Sequence, residues 1–137
     1  MVKFIIGLKG SGKTKRMIDM ANEATKNLDG SVVYIDRDKK HIYDLDRAIR
    51  FIETGEFHMT SLKSFYGFVC GVISQNYDIQ KIFIDGHKLI SEAKDECMEE
   101  FTEGLKKLAE QYNIDFVISC SRAKENIPKF IEPFIIS

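Results

Sequence analysis

The sequence has little that would commit it to a charged partner or to a covalent framework. Its 137 residues carry 20 lysines and arginines against 21 aspartates and glutamates, so the net charge of −1 gives no overall attraction to nucleic acid or to an anionic membrane. The three cysteines, Cys70, Cys97 and Cys120, include no Cys-x-x-Cys pair, which argues against a disulfide framework or a zinc site. Their apolar neighbours indicate reduced thiols in the core.

Long apolar runs are also absent. The N-terminal apolar run, residues 2–6, is too short for a signal peptide or a membrane span, so we expect a cytoplasmic protein without a membrane partner. The length suits a single domain over residues 1–137. No repeat or low-complexity segment interrupts the chain, and both prolines, Pro128 and Pro133, lie in its last part.

Short apolar runs alternate with segments of helical periodicity, which is the pattern of βα units around a parallel sheet. We predict an α/β fold, a three-layer αβα sandwich with a mainly parallel sheet of about five strands. The predicted strands are residues 2–6, 31–35, 57–60, 81–85 and 115–120. The predicted helices are residues 13–27, 42–52, 62–73 and 89–112, with Ser61 as a cap and Asn113 as a stop. For the tail, a helical turn near Lys129 and an edge strand at 134–136 are predicted.

The most specific motif follows the first predicted strand. Residues 7–14 read Gly-Leu-Lys-Gly-Ser-Gly-Lys-Thr and match G-x-x-x-x-G-K-[ST] at every specified position. Such a loop needs glycines because its backbone N–H groups must turn inward toward a polyphosphate. Lys13 is expected to reach the β- and γ-phosphates, and the Thr14 hydroxyl is expected to bind Mg²⁺. The helix that begins near Lys13 adds the positive end of its dipole.

This motif resembles the phosphate-binding loop of the P-loop NTPase superfamily. The chain as a whole is similar to small stand-alone bacterial proteins labelled ATP-binding or PilT-like, whereas its likeness to pilus-retraction motors is confined to two motifs. The resemblance implies a P-loop NTPase fold with a RecA-like core, with ATP and Mg²⁺ as ligands. The phosphate-binding residues would be Gly7, Lys9, Gly10, Ser11, Gly12, Lys13, Thr14 and Lys15. Lys9 and Lys15 are equally well explained as solvated lysines.

A candidate metal ligand ends a later strand. Asp85 follows Ile82-Phe83-Ile84, which is a Walker-B-like pattern of apolar residues closed by an aspartate. A carboxylate at the mouth of a neighbouring strand suits Mg²⁺ or its waters. The alternative interpretation is a turn residue before Gly86.

The catalytic carboxylate is the open question. Many ATPases with an extra strand between these motifs carry a glutamate directly after the aspartate, and this chain has Gly86 there, which implies slow hydrolysis. Asp36 and Asp38 are the best substitutes, because strand ends share one edge of an open α/β sheet. Residues 35–38 resemble a stretch of RecA-type recombinases whose final acid orients water, so Asp38 is the candidate. A solvated charged loop is the alternative.

Three further positions have two interpretations each. Ser121, or Arg122 beyond it, is a candidate γ-phosphate sensor; a strand-capping serine and a surface arginine are the alternatives. His87 is interpreted as a turn residue rather than a catalytic base. Tyr34 is interpreted as a core residue, with stacking on a base as the alternative.

The expected function is that of a Mg²⁺-dependent ATP-binding protein, a slow ATPase with Lys13 and Asp38 as catalytic residues. One alternative is a kinase for a nucleoside or nucleotide. Another is a non-hydrolysing switch or assembly module that binds nucleotide and a protein partner or a second copy. The sequence has no Asn-Lys-x-Asp guanine signature, which favours ATP.

Overall fold

One parallel sheet holds all the strands of the structure, a computed structural model that describes residues 1–136. The strands are β1 (Val2–Gly7), β2 (Ser31–Asp36), β3 (Arg50–Glu53), β4 (Ile79–Ile84) and β5 (Asp115–Ser121). Their order across the sheet is β1-β5-β4-β2-β3, and every neighbouring pair is parallel. The predicted parallel five-stranded sheet is confirmed. β5 lies between β1 and β4, so the strand before the glycine-rich loop and the strand before Asp85 are not adjacent.

Helices cover both faces of the sheet. They are α1 (Lys13–Asn27), α2 (Leu62–Ser74), α3 (Lys88–Ser91) and α4 (Asp95–Tyr112), and 3₁₀ turns occupy Ile42–Asp44, Lys124–Asn126 and Lys129–Phe134. α1 packs on one face, over a core that includes Tyr34 and Phe83. α2 and α4 pack on the other face, over Ile82 and Ile118. Among residues 1–136 no helix is both long and apolar enough to cross a membrane.

The ends of two helices agree with the sequence. Ser61 caps α2 through a capping box, because its hydroxyl accepts the Ser64 N–H and the Ser64 hydroxyl accepts the Ser61 N–H. Asn113 ends α4 in the left-handed conformation with φ of 55°. Both predicted boundaries are confirmed.

The predicted helix at residues 42–52 is wrong. Only the 3₁₀ turn Ile42–Asp44 forms there, and the chain then enters β3. Phe51 packs with the α1-side core and Ile52 with the α2-side core, so consecutive apolar residues face opposite sides of the sheet as in a strand. The predicted strand at residues 57–60 is also wrong, because β3 pairs with β2 at this edge and Phe57 is exposed.

The predicted helix at residues 89–112 is divided into α3 and α4. The Arg122 guanidinium donates to the carbonyl oxygens of Ser91 and Ala93, which a continuous helix would use for its own hydrogen bonds. Lys94 is extended, with ψ of 151°, and restarts the helix. The buried face of α4 includes Met98, and Cys97 is exposed, so the prediction of a core thiol at Cys97 is wrong.

The tail returns to the outer edge of the sheet. The turn predicted near Lys129 is present as the 3₁₀ segment Lys129–Phe134. The edge strand predicted at residues 134–136 is reduced to one bridge between Phe4 and Ile135, with the Ile136 N–H bonded to the Phe4 carbonyl at 2.9 Å. The tail therefore covers part of the free edge of β1.

Candidate functional site

The glycine-rich loop connects β1 to α1 in the conformation that its sequence predicts. Gly10 and Gly12 have φ of 83° and 89°, values that L-residues with side chains rarely adopt. Beyond the adjoining residues, a Cβ at either position would meet no atom of residues 1–136 within 4 Å, so glycine is needed there for its backbone freedom rather than for space. At Gly7 a Cβ would collide with the Ser11 side chain, which would have to move to admit one.

The N–H groups of this loop are available to a ligand. Within residues 1–136, the backbone N–H groups of Gly10, Gly12, Lys13 and Thr14 donate to no protein acceptor. Gly12 is the N-cap of α1 and supplies no side-chain cap to the first turn. The loop is therefore a set of free donors at the positive end of a fifteen-residue helix, which is the arrangement that binds anions.

The Lys13 side chain folds back over the loop. Its Nζ donates to the Leu8 carbonyl at 2.9 Å, so the ammonium lies beside the free N–H groups. Partial burial lowers the pKa of Lys13, and the nearby Asp85 carboxylate opposes that effect. The structure thus brings Lys13 and Asp85 into one electrostatic environment across the intervening β5.

Asp85 is buried and held by two hydroxyl groups. The Tyr34 hydroxyl donates to its Oδ2 at 2.8 Å, and the Ser119 hydroxyl donates to its Oδ1 at 2.6 Å. Burial, followed by the Asp85 charge, raises the pKa of Tyr34, so this phenol stays a donor. Tyr34 is fully buried and stacks between Phe51 and Phe83, so the core interpretation is correct and base stacking is excluded.

Asp36 and Asp38 differ in setting. Asp36 is 5% exposed, and its Oδ1 accepts the Arg37 N–H at 2.7 Å. Burial, followed by repulsion from Asp85, raises its pKa from 3.8 to about 6. Asp38 is exposed, its Oδ1 accepts the Lys40 N–H at 3.0 Å, and its Oδ2 lies 3.9 Å from Arg37 Nε.

Gly86 and His87 follow Asp85 and, with Asp36 and Asp85, form the floor of the site. Gly86 has φ of 73°, and its N–H donates to the Ser119 hydroxyl at 3.2 Å. The His87 ring is buried against Phe65, with ring centroids 4.6 Å apart. Burial lowers the pKa of His87 to about 4, so the ring is neutral at pH 7. His87, interpreted from the sequence as a turn residue after Gly86, is thus a buried residue in the wall of the site.

The remaining predicted residues lie around this floor. Ser121 ends β5 opposite Gly7 and donates its N–H to the Ser91 hydroxyl at 2.9 Å. Arg122 is bound to the α3–α4 junction through backbone carbonyls and Asp95, and its side chain is only 12% exposed, which rules out the surface-arginine interpretation. Lys15 is exposed and paired with Asp19 at 3.1 Å.

These side chains surround one cleft of about 630 Å³ at the carboxyl edge of the sheet. Its lining consists of Lys9, Gly10, Gly12, Lys13, Thr14, Lys15, Asp36, Arg37, Asp38, Lys40, His41, Asp85, Gly86, His87, Lys88, Ser91, Glu92, Ser119 and Ser121. Of the predicted site residues, Gly7 and Ser11 are not in this lining and act within the loop itself. Within residues 1–136, no cluster of three or more His, Cys, Asp or Glu side chains is arranged to hold a metal ion.

No protein-family model matches the chain, and no curated protein matches it significantly.

Proposed function

We propose that this chain is a Mg²⁺-dependent ATP-binding protein of the P-loop NTPase type that hydrolyses ATP slowly. The observation that carries the proposal is the loop of residues 7–14, whose free N–H groups and ammonium open onto a cleft with a buried carboxylate. A polyphosphate is the ligand that uses all of these groups at once. β5 lies between β1 and β4, so this chain has an extra strand between the two motifs, as in the ATPases whose glutamate Gly86 replaces.

The donor set fits a magnesium nucleotide. Thr14 and Asp85 line the same cleft and offer one hydroxyl and one carboxylate, the hard oxygen ligands that Mg²⁺ prefers. Mg²⁺ keeps several waters and binds substrate phosphates, so it needs no cage of three protein side chains. Bound Mg²⁺ would neutralise charge that develops on the phosphates. The hydroxyls of Tyr34 and Ser119 fix the Asp85 carboxylate for this role.

Titration calorimetry with ATP and Mg²⁺ tests binding. We expect saturable binding that Lys13→Ala weakens at least tenfold, because the ammonium beside the loop is lost. Lys26→Ala, a matched change in the last turn of α1, should leave binding unchanged, since Lys26 lies at the other end of the helix and pairs with Glu23. Asp85→Asn should mainly remove the Mg²⁺ dependence. Folded wild-type protein without saturable binding at millimolar ATP contradicts the proposal.

Gly86 gives a specific reason to keep a second candidate, a nucleotide-dependent switch that does not hydrolyse. The residue after Asp85 has no side chain and adopts a φ of 73° that disfavours one. Phosphate release above a no-enzyme control supports the ATPase, and tight binding with no release supports the switch. Release of ADP that depends on an added nucleoside would instead identify a kinase.

A further inference from the structure

The position that usually carries a catalytic carboxylate is filled from a neighbouring strand. A Cβ on Gly86 would lie 3.2 Å from Asp36 Oδ1, and outside the adjoining residues Asp85 and His87 no other atom of residues 1–136 lies within 4 Å of it. The side chain of Asp36, at the end of β2, therefore occupies the space next to the residue that follows Asp85.

The backbone holds Asp36 at this point from both sides. β2 pairs with β4 so that Ile35 lies opposite Ile84, and the Asp85 N–H donates to the Ile35 carbonyl at 2.9 Å. On the other side, the Thr54 N–H donates to the Asp36 carbonyl at 2.8 Å. Asp36 is thus fixed within the sheet, and rigid strands position chemical groups better than loops do.

The Asp36 carboxylate keeps one oxygen for the cleft. Oδ1 accepts the Arg37 N–H, whereas Oδ2 accepts no hydrogen bond from residues 1–136. Every fully buried side-chain oxygen or nitrogen in that part of the chain has a hydrogen-bond partner. Because Oδ2 has none, it is not fully buried, and it is open to the cleft that Asp36 lines. In Asp85, by contrast, both oxygens already accept hydroxyl donors.

Asp38 is neither fixed within the sheet nor left with an oxygen that is free for the cleft. It lies in the exposed loop after β2, where its two oxygens are directed to the Lys40 N–H and toward Arg37. A side chain on an exposed loop loses conformational entropy when it is ordered, and this free-energy cost opposes its orienting a reacting group. Its resemblance to a RecA-type position covers only residues 35–38.

The geometry points to Asp36, rather than Asp38, as the carboxylate that orients the attacking water in ATP hydrolysis. This inference rests on the proposed function. Asp36 Oδ2 accepts a hydrogen bond from the water, whose oxygen forms a bond to the γ-phosphorus. The bond from that phosphorus to the bridging oxygen breaks, its electron pair leaves with ADP, and both water hydrogens remain on the dihydrogen phosphate product.

Phosphate release from Mg²⁺-ATP tests the inference with three asparagine variants. Asp36→Asn keeps an oxygen for the Arg37 N–H and should lower kcat about 100-fold, a typical loss for a positioned carboxylate. Its kcat should lie at least tenfold below that of Asp38→Asn. Asp29→Asn is the matched control, because Asp29 is an exposed turn residue at the opposite edge of the sheet, and should retain wild-type kcat. Asp36→Ser replaces the same carboxylate by a different side chain and should lower kcat as much as Asp36→Asn does.

Two binding readouts separate this role from a structural one. Asp36→Asn should leave the ATP dissociation constant and the Mg²⁺ concentration for half-maximal turnover within about threefold of wild type, whereas Asp85→Asn should raise the latter. If the wild-type protein hydrolyses ATP and Asp36→Asn changes kcat by less than threefold, the inference about Asp36 is overturned and the proposed function is not. ATP binding without any wild-type turnover overturns the inference and the ATPase but not nucleotide binding. Absence of wild-type binding overturns all of them.

Discussion

Replacing Asp36 with asparagine should make the folded protein more stable at neutral pH. Asp36 is 5% exposed, and its carboxylate lies close enough to Asp85 for the two charges to repel each other. Asparagine has nearly the same shape, keeps an oxygen for the Arg37 N–H and carries no charge. The substitution therefore removes an unfavourable charge without opening a cavity.

The sign and size follow from the pKa of Asp36. It rises from 3.8 in the unfolded chain to about 6 in the folded protein, so between these values the folded state binds a proton that the unfolded state has lost. Ionised Asp36 thus costs stability progressively as the pH rises from about 4 to about 6. At about 1.4 kcal/mol for each pH unit the cost reaches at most about 3 kcal/mol, and water in the cleft screens part of it. We expect a gain of about 1.5–3 kcal/mol for Asp36→Asn at pH 8.

His87 contributes in the opposite direction, and the assay must separate the two effects. The pKa of His87 falls from 6.5 to about 4 on folding, so its contribution rises with pH over nearly the same window in which that of Asp36 falls. The wild-type curve alone therefore reveals neither group. The difference in urea unfolding free energy between Asp36→Asn and wild type removes the His87 contribution.

That difference, measured without nucleotide or divalent cations, should grow by about 1–2 kcal/mol between about pH 4.5 and about pH 8. Asp29→Asn, at an exposed turn residue, should stay within about 0.5 kcal/mol of wild type throughout. A difference for Asp36→Asn that does not change with pH, or a variant less stable than wild type at pH 8, would refute the reasoning.

Three other substitutions test separate features of the fold. Tyr34→Phe deprives the buried Asp85 carboxylate of one hydroxyl donor and should cost about 1–3 kcal/mol in urea unfolding; an unchanged midpoint contradicts the hydrogen bond. Ser61→Ala removes the capping box of α2 and should cost about 1 kcal/mol, with faster hydrogen exchange confined to the first turn. Gly86→Ala strains a φ of 73° and crowds Asp36, so Tm should fall by about 3–6 °C; an equal Tm would show that the turn can relax.

The sequence predicted the parts of the site that depend on local signals. The loop of residues 7–14 combines glycine positions, a preceding strand and a following helix within a short stretch, and each is present where expected. Asp85 also follows its strand as predicted, and Ser61 caps its helix. Local backbone preferences and side-chain caps determine these features, so a single sequence carries enough information for them.

Features that depend on which strands are neighbours were not predictable in the same way. Helical spacing of apolar residues occurs at Ile42, Leu45, Ile49 and Ile52, but the end of this segment pairs with the open edge of β2 and forms β3. Arg122 interrupts a helix about thirty residues earlier by binding its carbonyls. The hydroxyl of Tyr34 reaches Asp85 only because β2 and β4 pair in one register. Each of these three features requires a contact between distant parts of the chain, and the periodicity of apolar residues gives no information about such contacts.

The distribution of buried polar groups is the strongest structural argument that the cleft has a ligand. Residues 1–136 bury six polar or charged side chains, and five of them, Asp36, Thr54, Asp85, His87 and Ser119, lie at the carboxyl edge of the sheet. The sixth, in α4, bonds to a carbonyl of its own helix. Apolar residues of similar size would cost less to bury than two neighbouring carboxylates and a neutral histidine. The chain concentrates this cost at one edge, beside a helix whose first N–H groups are free. At that edge Asp36, Asp85 and the free N–H groups would be used by a polyphosphate and its cation, which is why the cost is consistent with a binding site.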